Sequence, residues 1–356
     1  MLKLIFTVIF TIIMAYDDYQ GATIDVTDRR GAPPNLVENL EFWMTELPPK
    51  LRTIPLVQLA IPGSHNSMTY TIERSDDVGP DEPELIRSLG RLFATVAKPI
   101  IFNWSINQKI AIKDQLNGGI RYLDLRVATK QDDDKIYFLH GLYGAEVSQP
   151  LQQVADWLND HPFEVIILDF QHLYNFTEAD HRNLIDQVKY LFRGKLCPVS
   201  VKFDHVTLRW MNSEKYQVIV VYRNPLARNF SDLWPTGLWP TPWPDTISRS
   251  TLIEFLNEGI RNRSLEKGYV SQCLFTPNAT YIFKHICRDI RYLSSKCRTV
   301  ALPWIEEQRP GAGGLNVVIT DDVAHDNFNF SKTVIQRNEV LLGSYQSYYN
   351  EDIKRP

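Results

Sequence analysis

Gly118-Gly119-Ile120-Arg121-Tyr122-Leu123-Asp124-Leu125-Arg126 is the most informative run in the chain. Read as a strand from Tyr122 to Val127, it turns Leu123 and Leu125 to one face and Asp124 and Arg126 to the other. An opposite-charge pair then shares one space at the strand's end. Further apolar, β-branched runs lie at Leu56 to Ile61, Ile136 to Leu139, Val165 to Phe170, Val218 to Tyr222, Tyr269 to Phe275 and Asn316 to Thr320, and read as strands of a parallel sheet. Amphipathic helical patterns separate them. Pro150 to Asn159 carries Leu151, Val154, Ala155 and Leu158 on one face, and Thr177 to Phe192 opens with a Thr177/Asp180 capping box before its Leu184, Ile185, Val188 and Leu191 stripe. Strand and helix alternating over this length give a doubly wound sheet or a closed α/β barrel of the TIM type. The barrel is preferred, because the polar residues fall at the carboxyl ends of successive strands.

The chain has 356 residues, 44% of them hydrophobic, enough for one large core. With 38 basic against 42 acidic residues, the net charge of -4 provides no overall positive field, so nucleic acid is not an expected partner. Lys3 and the apolar run to Ala15 read as a signal peptide, residues 1–15, too short to span a bilayer. An N-terminal extension (16–41), one large domain (42–345) and a polar tail (346–356) complete the expected organisation. Six Asn-x-Ser/Thr sequons, at Asn103, Asn175, Asn229, Asn262, Asn278 and Asn329, support a secreted, extracellular glycoprotein. Cys197, Cys273, Cys287 and Cys297 allow up to two disulfides or free buried thiols; Cys287 with Cys297 is the preferred local pair.

Candidate chemistry gathers at the strand ends. Ile61-Pro62-Gly63-Ser64-His65 ends a strand and a turn in an imidazole placed like a base. A single strand-end histidine is more often only a hydrogen-bonding residue, and Asp124 with Arg126 reads equally well as an ion pair plugging a barrel mouth. Tyr137-Phe138-Leu139-His140-Gly141 ends a second strand in His. Two such histidines flanking an Arg allow base and acid to act on opposite sides of one phosphorus, with Arg126 offering its donor fork to phosphate. Asp169 and Asp321 close further strands and supply carboxylates of the kind that fix an imidazole's tautomer.

Ile61-Pro-Gly-Ser-His65, Gly119-Ile-Arg-Tyr-Leu-Asp124-Leu-Arg126 and Phe138-Leu-His140-Gly together resemble the X-domain of phosphatidylinositol-specific phospholipases C. Trp43-Met44, Ile167-Leu-Asp169-Phe, Tyr222-Arg-Asn-Pro225, Leu233-Trp-Pro, Pro242-Trp243, Val270-Ser-Gln272 and Thr276-Pro277 are similar to the X-domain-only subfamily. The resemblance covers roughly residues 42 to 345 and implies a distorted β/α barrel. It implies His65 as general base on the inositol 2-hydroxyl with Asp321 behind it, Arg126 on the phosphoryl oxygens, and His140 as acid to the diacylglycerol oxygen. Arg223 and Gln272 fall where the bacterial enzymes contact inositol. Calcium-dependent members carry a carboxylate-rich cage at positions that here read Asn66, Asp124, Arg126 and Gln171, so a metal-free, cofactor-free site is implied. Bacterial enzymes have Asp where Asn66 stands, to support the second His. Asp169 or Asp124 is the expected compensation.

Three functions remain open. A monomeric, metal-independent phospholipase acting on an inositol phospholipid or GPI-type lipid, in transient contact with a membrane surface, is the leading one. A phosphodiesterase on other phospholipids and a catalytically weak lipid- or glycan-binding protein are the alternatives. Leu233 to Pro244, with Trp234, Trp239 and Trp243 among four prolines, reads as a loop packed on the barrel in preference to a lipid-facing one. Asp132-Asp133-Asp134 reads as a solvated hairpin tip.

Overall fold

The computed structural model describes residues 35–131, 133–199 and 202–343. The expected signal peptide and polar tail therefore lie outside the described residues. Among the described residues nine strands form one sheet: β1 (Ile61–Ser64), β2 (Tyr122–Lys130), β3 (Asp133–His140), β4 (Leu142–Glu146), β5 (Ile166–Tyr174), β6 (Val218–Tyr222), β7 (Leu233–Pro235), β8 (Val270–Gln272) and β9 (Val317–Thr320). Their order is β7-β6-β5-β2-β1-β9-β8, parallel throughout. This is the expected parallel-strand α/β barrel sheet.

The barrel is irregular where β7 and β8 meet. In place of a ladder, Gly268 N donates to Leu238 O (3.1 Å) and Val270 N to Pro240 O (3.0 Å). Pro240, Pro242 and Pro244 have no N–H to donate, so a regular ladder cannot form along this segment.

Several expectations change in detail. Ile136 to Leu139 belongs to β3, which pairs antiparallel with β2 and β4. The link from Lys130 to Asp133 is far shorter than the dozen residues a parallel crossover needs, so the run makes a hairpin. Asp133 sits at that hairpin's end, as expected of a tip; Asp132 lies outside the described residues. Leu56 to Ile61 is mostly not a strand. Its Leu56–Gln58 part is a 3-10 turn, with Gln58 N bonded to Pro55 O at 2.8 Å, and β1 begins only at Ile61. The helices read from periodicity fall at Ser148–Asp160 and Glu178–Leu191, the latter with the Thr177/Asp180 capping box formed. All four cysteines are free thiols. The expected Cys287–Cys297 bond is not made: Cys297 faces the core in company with Cys273, while Cys287 is exposed.

Two apolar layers follow from strand alternation. Leu123, Leu125, Leu168, Val220 and Val318 pack outward against the helices. Ile61, Tyr122, Ile167, Ile219, Val317 and Ile319 fill the inner face. Gly63 is required there, because a Cβ would lie 2.8 Å from Tyr122 Cβ and 2.9 Å from Ile319 Cγ2. At the opposite end from the rim, Arg121 and Glu164 form a fully buried ion pair at 2.7 Å.

Candidate active site

Counting by twos along the inner face leads from the apolar layer to the site. Ile61 and Gly63 lead to His65, Tyr122 to Asp124 and Arg126, Ile167 to Asp169, Ile219 and Val221 to Arg223, and Ile319 to Asp321. Strand geometry thus delivers polar groups from five strands to one rim.

His65 is the centre of the cluster. Its Nδ1 lies 2.7 Å from Asp321 Oδ1, and its Nε2 lies 3.1 Å from Arg126 Nη2 and 3.8 Å from Asp124 Oδ2. Arginine has no acceptor, so His65 Nε2 presents a lone pair and Nδ1 donates to Asp321. Asp124 Oδ2 is also 3.6 Å from Arg126 Nη2 and accepts the Asn66 amide N–H at 3.2 Å. Burial would raise the Asp124 carboxyl, but Arg126, His65 and the Asn66 amide together outweigh it and hold it below the ordinary range.

His140 opens into the same cavity as His65, Arg126 and Asp321, with the two imidazole centroids 6.2 Å apart. Its Nδ1 donates to Ser105 O at 2.9 Å, leaving Nε2 toward the cavity. Burial first, and then the Arg126 cation, push its pKa down to about 3, so the resting ring is neutral. Among the described residues no carboxylate is hydrogen-bonded to it: Asp321 favours its cation only through space, Asp169 is bound by Arg223 and Tyr122, and Asp124 lies against Arg126 and the Asn66 N–H. The compensation expected of Asp169 or Asp124 is therefore not made by a hydrogen bond, and Asn66 does not supply one either. Its side-chain amide donates to Asn107 Oδ1 (2.9 Å), and Asn107 donates in turn to Asp321 Oδ1 (2.8 Å).

Arg223 binds Asp169 through Nε (2.8 Å) and Nη2 (2.6 Å), and Tyr122 OH donates to the same carboxylate at 2.6 Å. Gln272 spends its amide on Thr241 Oγ1 (2.9 Å) and Pro242 O (3.0 Å), while its Oε1 is buried without a hydrogen-bond partner. Arg126 Nε and Asn66 Oδ1 are likewise buried and unbonded, so the rim keeps polar capacity for a ligand. In the tryptophan loop, Trp234 and Trp239 are buried as expected, whereas Trp243 is 39% exposed. Its ring stands 5.4 Å from the His65 ring and 5.6 Å from Arg126 Cζ, roofing the site.

Sequence reading missed Asn107, Gln108 and Ser105. Gln108 ties His65 O (2.9 Å), Thr320 O (3.0 Å) and Val323 N (3.1 Å) together, bracing the two segments that carry His65 and Asp321. All three lie at or beyond the end of the helix Ala94–Ser105. No strand-end pattern marks them. Among the described residues, no group of three or more His, Cys, Asp or Glu is arranged to hold a metal ion.

Comparison with solved structures places the fold. It matches the phosphatidylinositol-specific phospholipase C from Listeria monocytogenes at TM-score 0.58 and 18% identity, covering 84% of this chain and 99% of that one. A pentafluoro-Phe-containing phosphatidylinositol-specific phospholipase C from Staphylococcus aureus matches at 0.60 and 15% identity, over 85% and 99%. The fold is therefore the distorted α/β barrel of these two structures. The family model PI-PLC X 1 matches residues 102–220. PI-PLC X domain-containing protein 3 of Mus musculus is 37% identical over 84% of this chain and 94% of its own length. Protein 2 of Mus musculus is 37% identical over 84% and 88%, and protein 1 of Danio rerio 31% over 84% and 97%. The chain belongs to the PI-PLC X domain-containing protein family.

Proposed function

We propose that this chain is a phosphodiesterase that cleaves phosphatidylinositol or a glycosylphosphatidylinositol by attack of the inositol 2-hydroxyl on phosphorus. The observation that carries this reading is the convergence of His65, His140 and Arg126 on one cavity. His65 Nε2 takes the hydroxyl proton, Arg126 turns its donors from His65 to the phosphoryl oxygens, and the P–O bond to diacylglycerol breaks. His140, once it has taken a proton from solvent onto Nε2, passes that proton to the departing oxygen, leaving a cyclic inositol phosphodiester. The bound phosphodiester anion offsets the Arg126 charge that helps to keep His140 neutral, so substrate itself favours charging of the acid.

Arg126 supplies the positive charge beside Asp124 that a divalent ion would otherwise provide, and the reaction proposed is metal-independent. Export is proposed too, on the leader and the sequons; Asn175, Asn229, Asn262 and Asn278 are exposed and accessible to glycosylation. The test is phosphorus NMR of phosphatidylinositol incubated with the protein in excess chelator. Cyclic inositol phosphate is the expected product; product that needs added calcium overturns the charge argument, and no product at all overturns hydrolysis. The lack of a carboxylate behind His140 favours a second reading, a weakly catalytic lipid-binding protein, in which phosphatidylinositol binds without turnover and His65→Ala leaves binding unchanged.

A further inference from the structure

We propose that the catalytic cavity continues into an acyl-chain channel, so that the lipid is bound with one hydrocarbon chain drawn into the protein. The inference deepens the phospholipase reading and rests on it for the identity of the polar end. A single cavity of about 840 Å³ has His65, Arg126, His140 and Asp321 at its polar end and residues such as Ile86, Ala97, Ile101, Phe275, Ile282 and Ile290 elsewhere in its wall. That volume lies within the roughly 300–1,000 Å³ of sites that enclose most of a drug-sized ligand, far more than a phosphate needs.

The apolar part lies on the side where the leaving group departs. The helix Ala94–Ser105 contributes Ala97, Ile101 and Trp104 to the cavity wall, and its last residue, Ser105, accepts the His140 Nδ1 hydrogen bond. Gly141, at φ +67°, lets that helix press close: a Cβ there would clash with Ser105 Oγ and meet Ile101 Cγ2 at 3.0 Å. Arg223, Asp169 and Gln272, the groups expected on the inositol side, are not in the wall of this cavity. An oxygen protonated by His140 therefore carries its glycerol and chain toward Ile101 and Ala97. Entry is apolar as well, since Leu89, Phe283 and Ile286 belong to the cavity wall and are 37%, 77% and 41% exposed.

The test is calorimetric titration of the full chain with methyl, butyl, hexyl and octyl phosphate below their micelle concentrations. None of these probes carries the neighbouring hydroxyl that the proposed reaction needs. The channel predicts a Kd that falls about fourfold per methylene. Ala97→Trp, which fills the channel, should reduce the trend to less than twofold between butyl and octyl phosphate while methyl phosphate still binds as in the parent. Ile86→Trp, from a different helix, repeats the test should Ala97→Trp lose methyl phosphate binding through misfolding. A flat chain-length series in the parent, or an unchanged slope in the filled variants, overturns the channel. Phosphatidylinositol turnover with a flat series sinks the channel alone. A steep series without turnover sinks the catalytic reading and leaves the channel standing.

Discussion

Arg126 Nη2 lies 3.1 Å from His65 Nε2 while Asp321 Oδ1 lies 2.7 Å from His65 Nδ1, so the ring is held with its proton on Nδ1 and its lone pair toward the cavity. The same guanidinium that would hold phosphate also selects the basic tautomer in the free protein. In the proposed reaction its turn to the phosphoryl oxygens would uncover the lone pair, making phosphate binding and base exposure one event.

Asp321→Asn tests the tautomer. An amide at 321 can present its N–H to His65 Nδ1 and stabilise the wrong tautomer, and it cannot balance the imidazolium formed as the base takes its proton. Phosphatidylinositol turnover should fall by about 10²–10⁴ in kcat with KM within about twofold, read from steady-state kinetics. A kcat equal to the parent's would remove Asp321 from the mechanism.

Arg126→Lys tests the fork. A single ammonium cannot hold two phosphoryl oxygens in the bidentate arrangement, so kcat should drop by about 10²–10³ with the fold intact by circular dichroism. The parent's rate should stay within about twofold in excess chelator. Calcium should not rescue the lysine variant, because Asp124 alone gives too few anionic oxygens to hold it.

Asn66→Asp tests the departure seen at that position. Asn66 feeds a chain of hydrogen bonds through Asn107 to Asp321 and His65. A carboxylate has no N–H to donate to Asn107, and it adds a negative charge to a residue whose backbone already bonds Asp124. The substitution should lower kcat about tenfold, the worth of one such hydrogen bond. A rise in kcat would mean that residue 66 supports His140 after all.

How much of this was legible depends on range. Alternation along β2, β5, β6 and β9 is local, and it led from the sequence to Asp124, Arg126, Asp169, Arg223 and Asp321 at one rim. Direction and partner are not local. The β3 run has the same composition whether it pairs parallel or antiparallel, and only the short link before it distinguishes the two. Arg121 and Arg126 stand in one motif, yet one is buried beneath the barrel and the other faces the cavity, because Arg121 precedes β2 at the end away from the rim and, five positions earlier, points to the other side of the extended chain. Asn107 and Gln108 reach the site from a loop whose path depends on the fold already being formed.

Arg121 accordingly has a structural role. It donates through Nε to Glu164 (2.8 Å) and through Nη1 to Leu116 O (2.6 Å), while Glu164 Oε1 accepts from Thr45 N at 2.8 Å and Thr45 Oγ1 at 2.6 Å. Arg121→Met leaves the Glu164 charge buried without its partner and should cost about 3–5 kcal/mol in urea unfolding, with turnover per folded molecule unchanged. A loss below about 1 kcal/mol would show the pair to be dispensable.

The depressed pKa of His140 makes its own prediction for stability against pH. In the folded chain the ring holds its proton only below about pH 3, whereas in the unfolded chain it does so below its ordinary 6.5. Between those values the unfolded state binds the extra proton, so stability falls as pH falls and is fully present only above about 6.5. His172 and His181 are also shifted down, burial being the first cause in each, and they contribute in the same direction. Comparing the parent with His140→Gln cancels their share. Urea unfolding from pH 7 to pH 4 should show a shallower acid-side loss in the variant, by up to about one bound proton. Parallel stability curves would mean that His140 titrates normally in the folded chain; the ring would then be charged more readily, and substrate binding at Arg126 would not be needed to make it an acid.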